Sequence, residues 1–284
     1  MRQTSNVLYI AVDSLIPLRG KVVSAFDEFA AALDHAGIPA VWLTSRPRLQ
    51  LDEPRRKIGH VHPFIAEDGC GVYLPSDYFH LRPESGFTNR RKATTLRLGR
   101  FTCIPIAKQL PAASEALAEL SEKTGTPIVT LSSLSPRELS QNVGLPLREA
   151  ELVRQRDFDE LFFFAGATPS QIEGFVAEGR NRGIEFRRDE ALWSAAIGAS
   201  TQRCVTTLSK LYDRALRYHA SSVAVATPEL SKGLFPACDR SILLSAGEPP
   251  SLKDPQVPST RIRVIELHSP GIWEQLLESV AAKR

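Results

Sequence analysis

Sulfur is scarce in this chain, and so is any excess of charge. Its 284 residues include four cysteines and one methionine. Cys70, Cys103, Cys204 and Cys238 stand far apart and none belongs to a CxxC pair, which excludes a spaced zinc-ligand set and a dense disulfide framework. Reduced, mostly buried thiols are the expectation. Lys and Arg total 35 against 32 Asp and Glu, a net charge of +3, too small to mark a nucleic-acid partner. No run reaches the roughly 18 apolar residues that a membrane span needs. The start "MRQTSNVLYIAVD" has no apolar stretch long enough for a secretory signal before its first acidic residue. The expected compartment is the cytoplasm, without membrane or nucleic acid. What remains is ordinary globular composition, 43% hydrophobic and 24% charged. The length suits one domain with a large insertion, or two modest domains.

The hydrophobic pattern alternates between short apolar runs and helical spacing. "VLYIAV", residues 7–12, predicts a fully buried strand. "SAFDEFAAALDHA" carries Ala25, Phe26, Phe29, Ala32, Leu33 and Ala36 on one helical face, and Gly37 supplies the stop. "IPAVWLT" is a second apolar strand. A strand–helix–strand unit implies a parallel sheet, and ligands of such sheets sit beyond the carboxyl ends of the strands. Those ends are the turns at Ala11–Ser14 and Thr44–Arg46. Residues 62–79 predict two strands about a Glu-Asp-Gly turn. From about Arg82 to Pro169 the texture becomes an α+β insertion. Alternating elements then return, with "IEFRRDEALWSAAIG" as a hairpin, a long helix from Thr201, three more strands and a closing helix.

Four segments in order carry a family resemblance. "GIPAVWLTSRP" is a strand ending in Thr-Ser before a basic residue. "PFIAEDGCGVYLPSDYF" is similar to a "PFIxENGGAIYxPxGYF" pattern. "LSPRELSQNVGLPLREAELVRQRDFDELF" resembles a cap signature in which "TGLPLEEA" leads to "REFDEPF", and "SPGIW" resembles a "GPEGW" turn. Together the chain resembles the haloacid-dehalogenase-like superfamily, and within it the mannosyl-3-phosphoglycerate phosphatases, over nearly its whole length. The resemblance implies an α/β fold: a Rossmann-like parallel-sheet core, residues 1–81 and 170–284, with an inserted α+β cap, residues 82–169. It implies a Mg²⁺-dependent phosphomonoesterase in which one Asp attacks phosphorus and a second, two residues on, acts as acid and base. A Ser or Thr and a Lys hold the phosphoryl oxygens.

Set on this pattern, the chain departs at several positions. The "DxDGT" motif falls on Ala11 to Leu15, so the nucleophile position is Ala11 while the acid/base position survives as Asp13. The second motif survives as Ser45. The "DKGKA" helix start falls on "STQRC", which puts Thr201 or Gln202 where the lysine stands and turns Arg203 elsewhere. The acidic "GDSPNDLPML" loop falls on "VATPELSKGLF", leaving only Glu229 as a shifted stand-in. Mg²⁺ wants carboxylate oxygens in near-octahedral array, and no metal-ligand set is assigned. The expected function is a catalytically impaired pseudo-phosphatase that binds a phosphosugar or glycerate-like anion between core and cap, with Asp13, Ser45, Arg46 and Arg156 as site residues. The alternative is an active phosphosugar phosphatase that uses Asp13 in a rewired site. A third possibility is a structural partner with an unused cleft.

Other candidates have two readings each. His60 and His62, in "HVH", are either two imidazoles on one side of a metal or surface histidines before a strand. The basic run Asn89–Arg100 is either a solvated hairpin or a source of arginines that clamp an anion. Lacking interleaved aromatics, it does not indicate nucleic acid. Phe162–Phe164 read as a buried cap strand. Asp157, Asp159 and Glu160 match the cap signature without an assigned role.

Overall fold

A computed structural model describes residues 6–16, 23–79, 95–189, 192–247 and 259–282. β1 (Asn6–Ala11) is buried throughout, as a continuous apolar run requires. α1 (Phe26–Ala36) ends at Gly37, whose φ of 71° lets its N–H reach back to the helix carbonyls. β2 (Ala40–Leu43) lies parallel to β1. α2 (Arg48–Ile58) follows; it contains Pro54 and buries only Gln50, Leu51 and Arg55, so its sequence shows little helical periodicity. β3 (Phe64–Ala66) and β4 (Gly71–Pro75) form the antiparallel pair expected around the Glu-Asp-Gly turn.

β5 (Leu96–Leu98) and β6 (Phe101–Pro105) come next. They are followed by α3 (Leu110–Thr124), β7 (Ile128–Thr130), α4 (Pro136–Val143), α5 (Leu147–Val153) and β8 (Glu160–Phe164). α6 (Pro169–Asn181), β9 (Ile184–Asp189) and β10 (Leu192–Ile197) complete the middle of the chain. α7 (Thr201–Leu216), β11 (Ser221–Ala226), α8 (Pro228–Ser231), β12 (Arg240–Ser245), β13 (Ile262–Glu266) and α9 (Ile272–Ala281) close it.

Two sheets organise these elements. The larger runs β13-β12-β11-β1-β2-β3-β4-β6-β5 and is parallel from β13 to β3. On one face Leu8, Ile10 and Trp42 pack with Phe26, Phe29 and Leu33 of α1 and Leu276 of α9. On the other, Val7, Tyr9 and Ala11 meet Val205, Leu208 and Tyr212 of α7. The alternation along β1 therefore sends Ala11 and Tyr9 to the α7 side. The smaller sheet, β7-β8-β10-β9, is antiparallel. Phe162 packs with Leu117, Phe175 and Phe186 on one face, and Leu161 and Phe163 pack with Leu139, Ala150 and Val153 on the other. This is the α/β core with an α+β cap that the sequence implied.

Sheet membership divides the chain at places other than 82 and 169. β5 and β6 extend the large sheet through β4, so residues 96–105 belong with the core. β9 and β10 extend the small sheet through β8, so the cap runs on to Ile197. Half-exposed strands explain the difference: β9 buries only Ile184 and Phe186, a pattern equally compatible with either sheet. α5 stops at Val153, leaving residues 154–159 as the link into β8. Of the basic run, residues 89–94 lie outside the described residues; Arg100 pairs with Asp52 at 3.2 Å on the surface. Among the described residues no helix is long and apolar enough to cross a membrane.

The two histidines are structural. His60 is buried, contrary to the expected surface position. Its Nε2 meets the Ala40 carbonyl at 2.7 Å, its Nδ1 accepts from Arg55 Nε at 3.0 Å, and its ring stacks on Trp42. His62 bridges Tyr78 and Asp34, each at 2.7 Å.

Two stability measurements test this packing. A Cβ on Gly179 would stand 2.4 Å from the Phe186 ring, so Gly179→Ala is expected to destabilise by about 1–3 kcal/mol in urea melts. Burial and then Arg55 hold the His60 imidazole well below its ordinary value. The unfolded chain therefore takes up a proton near pH 6.5 that the native state refuses, and stability falls with acidity. Between about pH 7.5 and about pH 5.5 the loss from this group should be about 1.4 kcal/mol, and His60→Gln should flatten the profile by that amount.

Candidate functional site

Beyond the carboxyl ends of β1 and β2 the two turns are stitched together by the Val12 N–H, which donates to the Leu43 carbonyl at 2.9 Å. A cleft opens there. Ala11 lines it from the end of β1, Asp13 from the turn after β1, Thr44 and Ser45 from the turn after β2, Asp68 and Gly69 from the β3–β4 turn, Thr201 from α7 and Arg187 from the cap strand β9. Core and cap leave a space of about 20 Å³ between them, room for a water-sized group.

Asp13 stands where the sequence placed it, with its carboxylate fully engaged. Ser45 donates to Oδ2 from its backbone N–H at 2.7 Å and from Oγ at 2.8 Å. Thr44 Oγ1 donates to Oδ1, and Arg46 Nε lies 3.5 Å from the same oxygen. Arg46 also donates to the Ile16 carbonyl. Its guanidinium is thus folded back onto the β1 turn, and the expected ligand-binding role is not supported by its position. Ser45 does line the cleft, while its carbonyl faces the cap link and accepts from Arg156 Nη2 at 2.5 Å.

Arg156 is the second expected ligand contact that lies elsewhere. Its side chain is 5% exposed and paired with Asp159, which is 2% exposed. Burial opposes the guanidinium charge, but Asp159 and Glu67 outweigh it and raise the pKa. The three groups form one buried set. Glu67 accepts the backbone N–H groups of Asp157 at 2.9 Å, Phe158 at 2.8 Å and Asp159 at 3.1 Å. Burial, then the neighbouring Asp159, push the Glu67 carboxyl up, against the pull of Arg156. Asp157 accepts from the Tyr73 hydroxyl at 2.8 Å, and Glu160 from Ser114 Oγ at 2.8 Å. Asp157 and Asp159 therefore anchor the link between the two sheets, while Glu160 ties β8 to α3.

Sequence reasoning missed two cleft residues. The β3–β4 turn has three successive left-handed residues, Glu67, Asp68 and Gly69, with φ of 51°, 55° and 90°. Gly69 is required there, because a Cβ would lie 2.4 Å from the Thr201 amide nitrogen. The turn aims Asp68 into the cleft, where burial raises its pKa to about 6, against the lowering effect of Arg187. The signal for Asp68 was its place opposite Asn in the resembled pattern. Arg187 alternates with the buried Ile184 and Phe186, but only the sheet assignment reveals that it reaches the core. Thr201, not Gln202, occupies the cleft at the lysine position; Gln202 and Arg203 face a separate groove with Lys210.

The donor set does not fit Mg²⁺. Ala11 offers a methyl group, both Asp13 oxygens are taken, and Glu229 is exposed on α8 outside the cleft. Among the described residues no group of three His, Cys, Asp or Glu side chains is placed to hold a metal.

The fold is that of haloacid-dehalogenase-type phosphatases. A Thermoplasma acidophilum protein superposes with a TM-score of 0.63 at 12% identity over 98% of both chains. A phosphatase of this superfamily from Bacteroides thetaiotaomicron gives 0.61 at 15% identity, covering 99% of this chain and 97% of its own. A subclass IIB sugar phosphatase gives 0.57 at 13% identity, over 98% of this chain and all of the other. Within that superfamily the curated sequence relatives are mannosyl-3-phosphoglycerate phosphatases, as the four motifs implied. A glucosyl-3-phosphoglycerate/mannosyl-3-phosphoglycerate phosphatase of Methanococcoides burtonii is 23% identical over 91% of this chain and 92% of its own length. A mannosyl-3-phosphoglycerate phosphatase of Pyrococcus furiosus is 21% identical over 75% of this chain and 80% of its own. No family model matches the chain.

Arg156→Ala would leave two buried carboxylates facing each other without their cation. The expected cost is about 3–5 kcal/mol in denaturant melts; a loss below about 1 kcal/mol would mean that Arg156 does not hold the link.

Proposed function

We propose that this sugar-phosphatase-like protein binds a phosphosugar or similar anionic ligand between core and cap and has lost most or all of its hydrolytic capacity. The observation that carries this is the end of β1. The nucleophile position holds the methyl group of Ala11 at the cleft wall, and the one acid retained beside it, Asp13, has both oxygens committed to Thr44, Ser45 and Arg46. Without a carboxylate at residue 11 no phospho-aspartate can form there, and removal of a covalent nucleophile costs on the order of 10⁶ in rate. Asp13 lies beyond the end of β1, in the following turn, where the Thr44, Ser45 and Arg46 contacts hold its carboxylate. The ligand class rests on the curated relatives, whose names specify a glycosyl-3-phosphoglycerate.

The experiment is phosphate release from mannosyl-3-phosphoglycerate with millimolar Mg²⁺, run beside thermal unfolding with and without that compound. Binding without turnover is expected: a rise in melting temperature equivalent to about 2.7 kcal/mol at a hundredfold excess over Kd, and no phosphate release above that of Asp13→Asn. Turnover that vanishes in Asp13→Asn would establish an active phosphatase using Asp13 and overturn the proposal. The double variant Ala11→Asp, Thr227→Asp, which restores an acid at the nucleophile position and one in the "VATPELSKGLF" loop, is expected to remain inactive, because the lysine position is Thr201. Robust hydrolysis by it would show that the two acids alone were limiting.

A further inference from the structure

Among the described residues that line the cleft, Arg187 is the single cation, and it is supplied by the cap. Its Nη1 donates to Asp68 Oδ1 at 2.7 Å. Its Nη2 donates to the Asp68 carbonyl at 2.8 Å and lies 3.4 Å from Thr201 Oγ1. The guanidinium therefore stands over the position at which the resembled motif has its phosphate-holding lysine. It is clasped by a carboxylate where the resembled pattern has a neutral Asn.

A guanidinium fork matches a phosphate as well as it matches a carboxylate. A dianionic phosphate brings more charge than one carboxylate. The Arg187 side chain is 42% exposed and that of Asp68 16%, so water reaches the pair from the guanidinium side. We propose that Arg187 is the phosphate-recognising cation of this cleft and that Asp68 is its built-in competitor. An entering phosphomonoester takes the guanidinium from Asp68, replacing a cap–core ion pair with a cap–ligand one. No bond is made or broken in the exchange. This inference rests on the proposed phosphosugar-binding function and adds the residue that selects the ligand's charge, together with the contact that holds its affinity down.

Asp68 sits at φ 55°, a left-handed conformation that Asn adopts as readily as Asp. Asp68→Asn thus removes the competing charge and keeps the turn. The test is isothermal titration calorimetry of inorganic phosphate and glycerol 3-phosphate into wild type, Asp68→Asn, Arg187→Ala and the double variant, each first checked for native circular dichroism. Asp68→Asn is expected to tighten both ligands about tenfold and Arg187→Ala to weaken them about tenfold, as gain or loss of one charge-assisted contact would. The double variant should bind like Arg187→Ala, since the competitor matters only while the cation is present. Should Arg187→Ala fail to fold, Arg187→Gln replaces it.

Equal affinities in wild type and Asp68→Asn, or an unchanged affinity in the Arg187 variant, would overturn the inference. The binding function would still stand if mannosyl-3-phosphoglycerate stabilises the wild type. Absence of binding by any of the four proteins, Asp68→Asn included, would also overturn the inference. Absence of stabilisation by mannosyl-3-phosphoglycerate would in addition remove the proposed function.

Discussion

Glu67 has no exposed surface, and its carboxylate accepts three consecutive backbone N–H groups of the link that leads into β8. A buried carboxylate is tolerated only when its lone pairs are used and its charge is answered, and residues 156–159 supply both through the amides and Arg156. The same arginine then reaches the Ser45 carbonyl. One ionic cluster thereby joins the β3–β4 turn, the β2 turn and the cap link. The left-handed turn that begins at Glu67 also orients Asp68 and brings Gly69 against the start of α7, where the Ser200 N–H donates to the Gly69 carbonyl at 3.0 Å. The geometry of the cleft floor depends on a residue that does not face the cleft.

This dependence explains why two arginines that looked like ligand contacts are elsewhere. Arg46 and Arg156 flank the cleft in sequence, but each is drawn away by a stronger local demand. Arg46 answers Asp13, and Arg156 answers Asp159. A buried guanidinium paired with a carboxylate, as Arg46 and Arg156 are, is fixed by desolvation, because separating the pair would leave its charge uncompensated in a medium of low dielectric. Arg187 differs in being partly solvated. Solvation is what allows an ion pair to exchange partners.

Much of the fold was legible in the sequence, for reasons that follow burial. β1, α1 and β2 are buried on known faces, and their apolar spacing states their type directly. The motifs located Ala11, Asp13 and Ser45 at the cleft because a parallel sheet delivers its strand ends to one place. Three things were not legible. The membership of β5, β6, β9 and β10 depends on pairing between residues distant in the chain, and half-exposed strands carry no mark of their partner. α2 hides its helical face behind Pro54 and few buried side chains. The partner of each arginine depends on which carboxylate is buried near it, and that is set only when two sheets meet.

Across the cleft, charge has moved relative to the resembled pattern. A carboxylate is absent at residue 11 and one stands at residue 68; a cation is absent at residue 201 and one arrives at Arg187 from the cap. Acid and base now face each other across the interface instead of standing side by side on the core. In the resembled chemistry, core groups hold the phosphoryl oxygens wherever the cap is. In the proposed binding mode the cation reaches the cleft only when β9 lies over the β3–β4 turn, which would make recognition of an anion and the seating of the cap one event. The proposed binding function needs a solvated guanidinium over hydroxyl groups, and Arg187 over Thr201 is such a group. The resembled phosphoryl transfer calls for a carboxylate at residue 11, where this chain has Ala11.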